Sequence, residues 1–376
     1  MTFRMNPIHI CYMTSVHPVF DDRIFHKEAK TLVGAGYEVS LIAQHNKNEI
    51  VDGIKIVSLS KPKNRFFRFF ITNREVFNLA LKQKASIYHF HDPELLFWAI
   101  KLKKKTNAKI IYDVHEDTSE QILSKYWLPK IIRRPISLLF NYFEKLVSQK
   151  FDYIIAATPD IKKNFKKHRV IDIKNYPIIN YISRTNRWNF VKNEYSLIYI
   201  GGLEKVRGIK EIIQSLKFMN PKYNIKLKLA GEFSNENFKN EVRKLEEWKK
   251  VQYLGRIPYK EVFEHLATGY IGLVCLYPLR RFSTALPVKM FEYMITGLPV
   301  IATNFPFWRE IIEKNNCGIC VNPLSPKEIA KAVEYLIENH NEAKKMGENG
   351  RKAVLEKYNW ENESIKLLKI YKKILR

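Results

Sequence analysis

Long apolar runs are missing from this sequence. Although 46% of its 376 residues are hydrophobic, no stretch approaches the ~20 apolar residues that a membrane-spanning helix requires. The first residues, MTFRMNPIHICYM, pass straight into a strand-like pattern instead of a charged and apolar leader, so the expectation is a cytosolic protein. Cysteine is scarce: the four present are too scattered for a disulfide framework. The only close pair, Cys317 and Cys320 in NNCGICVNP, has no second Cys/His pair beside it. Alternation through Ile319 and Val321 reads there as a short strand with small buried side chains. Neither GxGxxG nor GxxxxGK followed by Ser or Thr occurs, which argues against a nicotinamide fingerprint and a P-loop. Acidic residues are few, 38 against 64 lysines and arginines, leaving a net charge of +26. Such an excess favours polyanions: nucleic acid, acidic lipid or phosphorylated ligands. No zinc finger or RNP-type motif accompanies it, so no specific nucleic-acid partner is expected.

The positive charge is concentrated among aromatics. KPKNRFFRFFITNR (61–74) has five basic residues and no acid, and KYWLPKIIRRPISLLFNYF (125–143) repeats the theme. From 65 onward the spacing predicts a helix whose main apolar face is Phe66, Phe70, Phe77 and Leu81, with Phe67 and Ile71 off that face near Arg68 and Arg74. A core-facing helix accounts for the first set. The second suits an amphipathic surface on acidic lipid, where each basic residue adds about 1 kcal/mol. An anionic membrane is therefore an expected partner through 61–74 and 125–143, with the protein peripheral to the inner face of the plasma membrane.

Short β-branched runs alternate with helical patterns along the chain: IHICYM, EVSLIA, SIYHFH, KIIYDV and DYIIAA, then SLIYIG, KLKLAG, VQYLG, YIGLVCL, PVIAT and GICV. Strands separated by helices imply βαβ units and parallel sheets. The two series flank NYPIINYISRTNRWNFVKNEYS (175–196), which is polar and irregular. The fold class is α/β, with two doubly wound domains over 1–180 and 190–355 and a terminal helix at 356–376 packing back toward the first. Ligands of such sheets sit at the carboxyl ends of strands, here in a cleft between the domains.

In YIGGLEKVRGIKEIIQSL (199–216) a strand runs into Gly201 and Gly202, Lys205 and Arg207 follow, and Gly208 begins a helix. Glycines admit close backbone approach, and a helix N-terminus beside a guanidinium stabilises phosphate charge. Taken alone, such a turn occurs in any α/β protein. The run STALPVKMFEYMITGLPVIATNF (283–305) adds a short, well-delimited helix, with Pro287 at its first position and Gly297 at its end. Leu286, in the capping position, offers no side-chain acceptor, leaving the amides of Val288 and Lys289 for an anion. Lys289 and Glu292, at i and i+3, share a face. A cation for phosphate and a carboxylate for vicinal hydroxyls suit a nucleotide diphosphate, and the same pair also fits a surface ion pair.

These residues resemble a family. YIGGLEKVRGI, LAGEF, VQYLGRIPYKEV, LPVKMFEYMITGLPVIAT and NNCGICVNP fall in the order of the carboxy-terminal half of glycosyltransferase family 4, retaining enzymes with the two-domain GT-B fold. DDRIFHKEAKTLVGAGYEVSLIA, HFHDPELL and IIYDVHE are similar to its amino-terminal half. The resemblance implies a nucleotide-sugar donor bound by 190–355, with UDP-sugars favoured, and a saccharide acceptor bound by 1–180, lipid-linked as in capsule, O-antigen or exopolysaccharide assembly. It places Glu292 at the ribose hydroxyls, Arg207 and Lys289 at the diphosphate, Arg256 and Ile257 beside the base, and His115 near the anomeric carbon. Glu310 matches an acid of many members and fits an ion pair equally well. Asp92, with His91, and Asp22 and Arg23 stand where loops could meet the acceptor, or where Asp22 or Arg23 could cap the following helix.

Two positions depart from the pattern: Thr284 replaces a glutamate usually placed at the donor sugar, and Gly202 an arginine. They keep open a catalytically silent member as an alternative, beside a basic nucleic-acid-binding protein. No D-x-D carboxylate pair is present, and cations with helix-terminal amides suffice to stabilise a leaving diphosphate, so neither metal nor cofactor is expected.

Overall fold

The computed structural model describes residues 7–125, 128–165, 169–179 and 194–376. Most of the polar 175–196 segment, and Tyr126 and Trp127 of the second basic stretch, lie outside the described residues. The chain forms two units: Met1–Asn175 with Trp360–Arg376, and Tyr176–Asn359.

In the first unit the strands are β1 (His9–Pro18), β2 (Glu38–Gln44), β3 (Glu49–Val51), β4 (Ile54–Leu59), β5 (Ile87–Phe90), β6 (Lys109–Val114), β7 (Tyr153–Ala156) and β8 (Val170–Asp172). They lie in the order β3-β4-β2-β1-β5-β6-β7-β8, parallel throughout except for the β3–β4 hairpin. Strands such as IYHF are buried along their whole length, as expected when helices cover both faces of a parallel sheet. The chain order reverses between β1 and β5, so the switch point lies beyond Met13 and Phe90.

The second unit repeats the plan with β9 (Tyr195–Ile200), β10 (Ile225–Ala230), β11 (Val251–Gly255), β12 (Ile271–Val274), β13 (Val300–Thr303) and β14 (Gly318–Val321). Their order is β11-β10-β9-β12-β13-β14, all parallel. Its switch point is at the ends of β9 and β12. Close packing there depends on glycine: at Gly231 (φ 142°) a Cβ would stand 1.9 Å from the Gly201 carbonyl oxygen.

The last helix, Trp360–Ile374, belongs to the first unit. Its Trp360 Nε1 donates to Thr31 Oγ1 at 3.0 Å, and Tyr371 Oη lies 2.7 Å from His89 Nδ1 and donates to Tyr12 Oη at 3.1 Å.

The helical run Arg65–Gln83 departs from expectation. Phe77 is buried and Leu81 packs against the core, whereas Phe66 and Phe70 are 66% and 56% exposed. A π-helical segment, Arg68–Thr72, interrupts the α-helix. Its wider turn shifts the angular phase, so residues before it no longer share a face with those after it. Helix Lys130–Ser148 buries Val147 together with Ser137, Glu144 and Ser148, packs Phe140 against the core, and exposes Leu138, Leu139, Tyr142 and Leu146. Among the described residues, no helix is long and apolar enough to cross a membrane.

Candidate functional site

At the end of β9 the backbone turns at Gly201 (φ 136°), where a Cβ would lie 2.5 Å from Lys289 Nζ. The backbone angle itself favours glycine, since an L side chain there is strained whatever its neighbours. The Lys289 ammonium nitrogen is buried and has no hydrogen-bond partner; it lies 3.8 Å from the Tyr199 ring centroid. Burial, then the neighbouring Arg207 charge, pushes its pKa well below the usual lysine range, against the pull of Glu292 and Glu204. The surface ion pair allowed by the sequence is therefore not how Lys289 is used. A desolvated cation without an acceptor is costly unless a ligand supplies one.

Arg207 closes a 3₁₀ turn, Lys205–Arg207, with Nε 3.4 Å from Glu204 Oε1. The next residue, Gly208 (φ 70°), admits no side chain, because a Cβ would meet the Cys275 carbonyl oxygen at 2.0 Å. Gly202 differs: its nearest neighbours would be Glu204 Oε1 at 3.6 Å and Arg207 Cζ at 3.7 Å, ordinary contacts.

The key helix runs from Val288 to Ile295. It starts one residue later than expected, because Pro287 (φ −69°, ψ 120°) is still extended and takes the capping place assigned to Leu286. Proline also offers no side-chain acceptor. The first backbone hydrogen bond is donated by Met290 N to Pro287 O at 3.0 Å, so the amides of Val288 and Lys289 precede it. Leu286 packs against the apolar cluster beneath. Glu292 is 8% exposed and accepts from Tyr259 Oη at 3.2 Å, a partner the sequence reading missed. Thr284 ends the one-turn helix Arg280–Ser283, half-buried, and Trp308 Nε1 anchors the following Ala285 carbonyl at 2.7 Å. Arg256 is largely exposed, 4.0 Å from Glu232, while Ile257 packs against the apolar cluster. Glu310 forms an exposed ion pair with Lys314.

In the first unit, His115 follows β6, with Nε2 2.9 Å from His91 Nδ1 and 3.6 Å from Asp113 Oδ1. Burial pushes its pKa down to about 3, so the ring is neutral. Asp92 is buried and its Oδ2 accepts from Thr14 Oγ1 at 2.8 Å and Ser15 N at 2.6 Å. That carboxylate mainly holds the irregular end of β1, where the register with β2 shifts between Met13 and Pro18. The same stretch presents His17, which the sequence reading overlooked; its Nε2 is 3.7 Å from Asp92 Oδ1.

Arg23 requires a correction. It is 3% exposed, bonded through Nη2 to Asp113 Oδ2 at 2.9 Å and through Nη1 to the Ile173 carbonyl at 2.9 Å. It is a buried structural ion, out of reach of an acceptor. Neither it nor Asp22 caps the helix: Asp21 accepts from the amides of Arg23 and Ile24. Asp22 pairs with Lys27 Nζ at 2.6 Å.

Around Arg23, Glu28, His89, His91 and Asp113 bring ligand-type atoms within 4.8 Å of one another. These residue types could hold a metal, but Arg23 Nε, 2.9 Å from Glu28 Oε1, already supplies the balancing charge. Burial alone would raise Asp113; the Arg23 charge outweighs it and holds the carboxyl well below its usual range. Burial, then the Asp113 charge, pushes Glu28 well above its own. The Arg23 guanidinium thus stands between the two carboxyl groups, paired with both.

A groove of about 790 Å³ opens beside these histidines, lined by His17, Asp92, His115, Phe97, Phe140 and Phe143 among others.

Two parallel α/β sheets, with polar groups gathered at strand ends, define a protein of the GT-B glycosyltransferase class. The model described as Glycosyl transferases group 1 matches residues 183–353, and that described as Glycosyltransferase Family 4 matches residues 23–179. Together they span most of the chain, which belongs to the family-4 glycosyltransferases. An uncharacterized glycosyltransferase of Methanocaldococcus jannaschii is 23% identical over 74% of this chain and 70% of its own. A capsular polysaccharide biosynthesis glycosyltransferase, CapM of Staphylococcus aureus, is 28% identical over 45% of this chain and 43% of its own. Among solved structures, sucrose-phosphate synthase of Thermosynechococcus elongatus superposes with TM-score 0.77 at 16% identity, covering 98% of this chain and 99% of that one. Anabaena HepE in complex with UDP-glucose gives 0.72 at 11% identity, covering 97% and 100%.

Proposed function

We propose that this glycosyltransferase moves a hexose from a nucleotide diphosphate sugar, a UDP-sugar in preference, to a lipid-linked saccharide in bacterial surface-polysaccharide assembly, with retention at the anomeric carbon. The observation carrying the donor assignment is the buried, unpartnered Lys289 ammonium at the opening of a helix that also presents Glu292. Lys289, Arg207 and the first amides of the helix meet the diphosphate as it gains charge when the glycosidic bond breaks. No metal is required for that stabilisation. Glu292 accepts from the ribose hydroxyls, with Arg256 and Ile257 beside the base and Gly201, Gly202 and Thr284 near the sugar. HepE, solved with UDP-glucose, supports the choice of nucleotide; CapM, a glycosyltransferase of capsular polysaccharide biosynthesis, supports the polysaccharide context. From the first unit, neutral His115 offers a ring nitrogen to the donor sugar near its anomeric carbon, and 61–74 with 125–143 rest on anionic lipid.

Glu292→Ala tests the reading. A charge-assisted bond is worth roughly 1.5–3 kcal/mol, or about 10- to 100-fold in affinity. Calorimetric titration with UDP should show that loss and transfer should fall with it; unchanged affinity and turnover would defeat the donor assignment.

A further inference from the structure

His115 does not stand alone at the end of β6. Its Nε2 lies 2.9 Å from His91 Nδ1, and the two rings meet edge to face with centroids 4.9 Å apart. A hydrogen bond between two imidazoles holds one proton, so one ring donates it and the other accepts. The second nitrogen of His115, Nδ1, has no hydrogen bond to a described residue, and the side chain, 19% exposed, lines the groove. With the proton on Nε2, Nδ1 is an acceptor; with the proton on Nδ1, it is a donor.

The groups around the pair decide between these states. Asp113 Oδ1 is 3.6 Å from His115 Nε2, and Asp113 Oδ2 is 3.9 Å from His91 Nδ1. Arg23 grips that carboxylate through Nη2 at 3.1 and 2.9 Å and through Nε at 3.3 Å, which keeps it ionised. An ionised oxygen attracts an N–H and repels a bare lone pair, so the nearer nitrogen, His115 Nε2, takes the proton. On the far side of the second ring, His91 Nε2 is buried without a hydrogen-bond partner, 4.0 Å from Glu28 Oε2. A carboxyl oxygen can accept in either protonation state, which favours the His91 proton on Nε2 and leaves its Nδ1 to accept from His115. The His91 ring is held in place, 3% exposed and stacked on Tyr12 and His89 with centroids 5.6 and 4.8 Å away.

We infer that His91, backed by Asp113, is a positioning residue that fixes the tautomer of His115, so that His115 presents a bare Nδ1 and takes a hydroxyl of the transferred sugar as its partner. The inference rests on the proposed place of His115 beside the donor sugar, and it adds what that place recognises: a group that donates. A carboxylate at the same point of the sugar would set a lone pair against a charge, so a uronate-type donor with its acid there is disfavoured.

Long-range proton–nitrogen correlation spectra of protein carrying isotope-labelled histidine read the tautomer directly, with His115→Gln identifying the signals. We expect the proton of His115 on Nε2; a proton on Nδ1 would overturn the inference. His91→Leu removes the acceptor, and kcat/KM for the hexose donor should fall about tenfold, the size of one hydrogen bond. The loss should appear in kcat, with UDP affinity unchanged because UDP lacks the sugar. Among monodeoxy analogues of the donor, the one without the hydroxyl that meets Nδ1 should be turned over equally by both proteins. His91→Asn, whose amide oxygen takes the place of Nδ1, should restore the tautomer and most of the activity. An Asn variant as impaired as the Leu variant, or equal losses with every donor, would make His91 merely structural and sink the idea. Should His91→Leu misfold, the spectrum of the unaltered protein and the Asn variant still decide. Glu292→Ala should lose UDP while leaving the His115 signals of the free protein unchanged, so failure of the donor reading and failure of this one are separable.

Discussion

At the scale of single residues, the two most telling side chains are a lysine and a histidine in unusual ionisation environments. Lys289 carries a buried ammonium with no acceptor, a penalty of about 1–3 kcal/mol for such a group. Lys289→Met should therefore raise the melting temperature while abolishing nucleotide binding; scanning calorimetry with and without UDP checks both halves. His115, with a folded pKa of about 3 against ~6.5 unfolded, binds fewer protons folded than unfolded between those values. Stability consequently falls as pH drops through that window, by up to about 1.4 kcal/mol per pH unit. His115→Gln should flatten the acid side of the urea stability profile relative to the parent protein. Glu28, whose folded pKa is raised, contributes in the opposite sense, stabilising at low pH and losing that contribution as pH rises. It is present in both proteins, so the difference isolates the histidine. Motif spacing made both residues legible as candidates. Their ionisation was not legible, because it is set first by burial and then by charges brought from elsewhere in the chain, such as Arg207 beside the lysine and Arg23 near the imidazole.

At the scale of elements, turns and glycines decide where chemistry sits. Gly208 combines a left-handed backbone with a carbonyl 2.0 Å from any added Cβ, so Gly208→Ala should displace the Arg207 turn. The expected result is a stability loss above ~1 kcal/mol together with weaker UDP binding, measured by chemical unfolding and calorimetry. The β-branched runs predicted from sequence all appear as strands. The β3–β4 hairpin was overlooked although Asp52-Gly53, both at positive φ, is a recognised turn signal. By contrast, nothing in RFFRFFITNR announces the π segment that rotates Phe66 and Phe70 outward, since a widened turn reflects packing more than local propensity. Helix Lys130–Ser148 is a related case. Its amphipathic pattern reads plainly, while the buried face includes Glu144, which accepts from Tyr112 Oη of a distant strand.

At the scale of the whole molecule, the chain returns at its end to its first unit. Tyr371 Oη reaches His89 across 282 positions of sequence. Tyr371→Phe would leave that buried nitrogen without its partner, at about 1–3 kcal/mol. Thermal unfolding followed by hydrogen exchange should show lowered protection in Met1–Asn175 and in the terminal helix, with Tyr176–Asn359 unchanged. The sequence by itself determined the two parallel sheets, the glycines and prolines that bound the donor helix, and the candidate Lys289, Glu292, Arg207 and His115. All of these follow from local periodicity, backbone permissiveness and residue spacing. Tertiary structure alone decided that Arg23 is sealed against Glu28 and Asp113, that Asp21 is the cap, that Lys289 stands unpaired, and that an apolar helix face is left outside. Burial and partnership depend on which distant segments arrive at the same place, and no window of neighbouring residues contains that information.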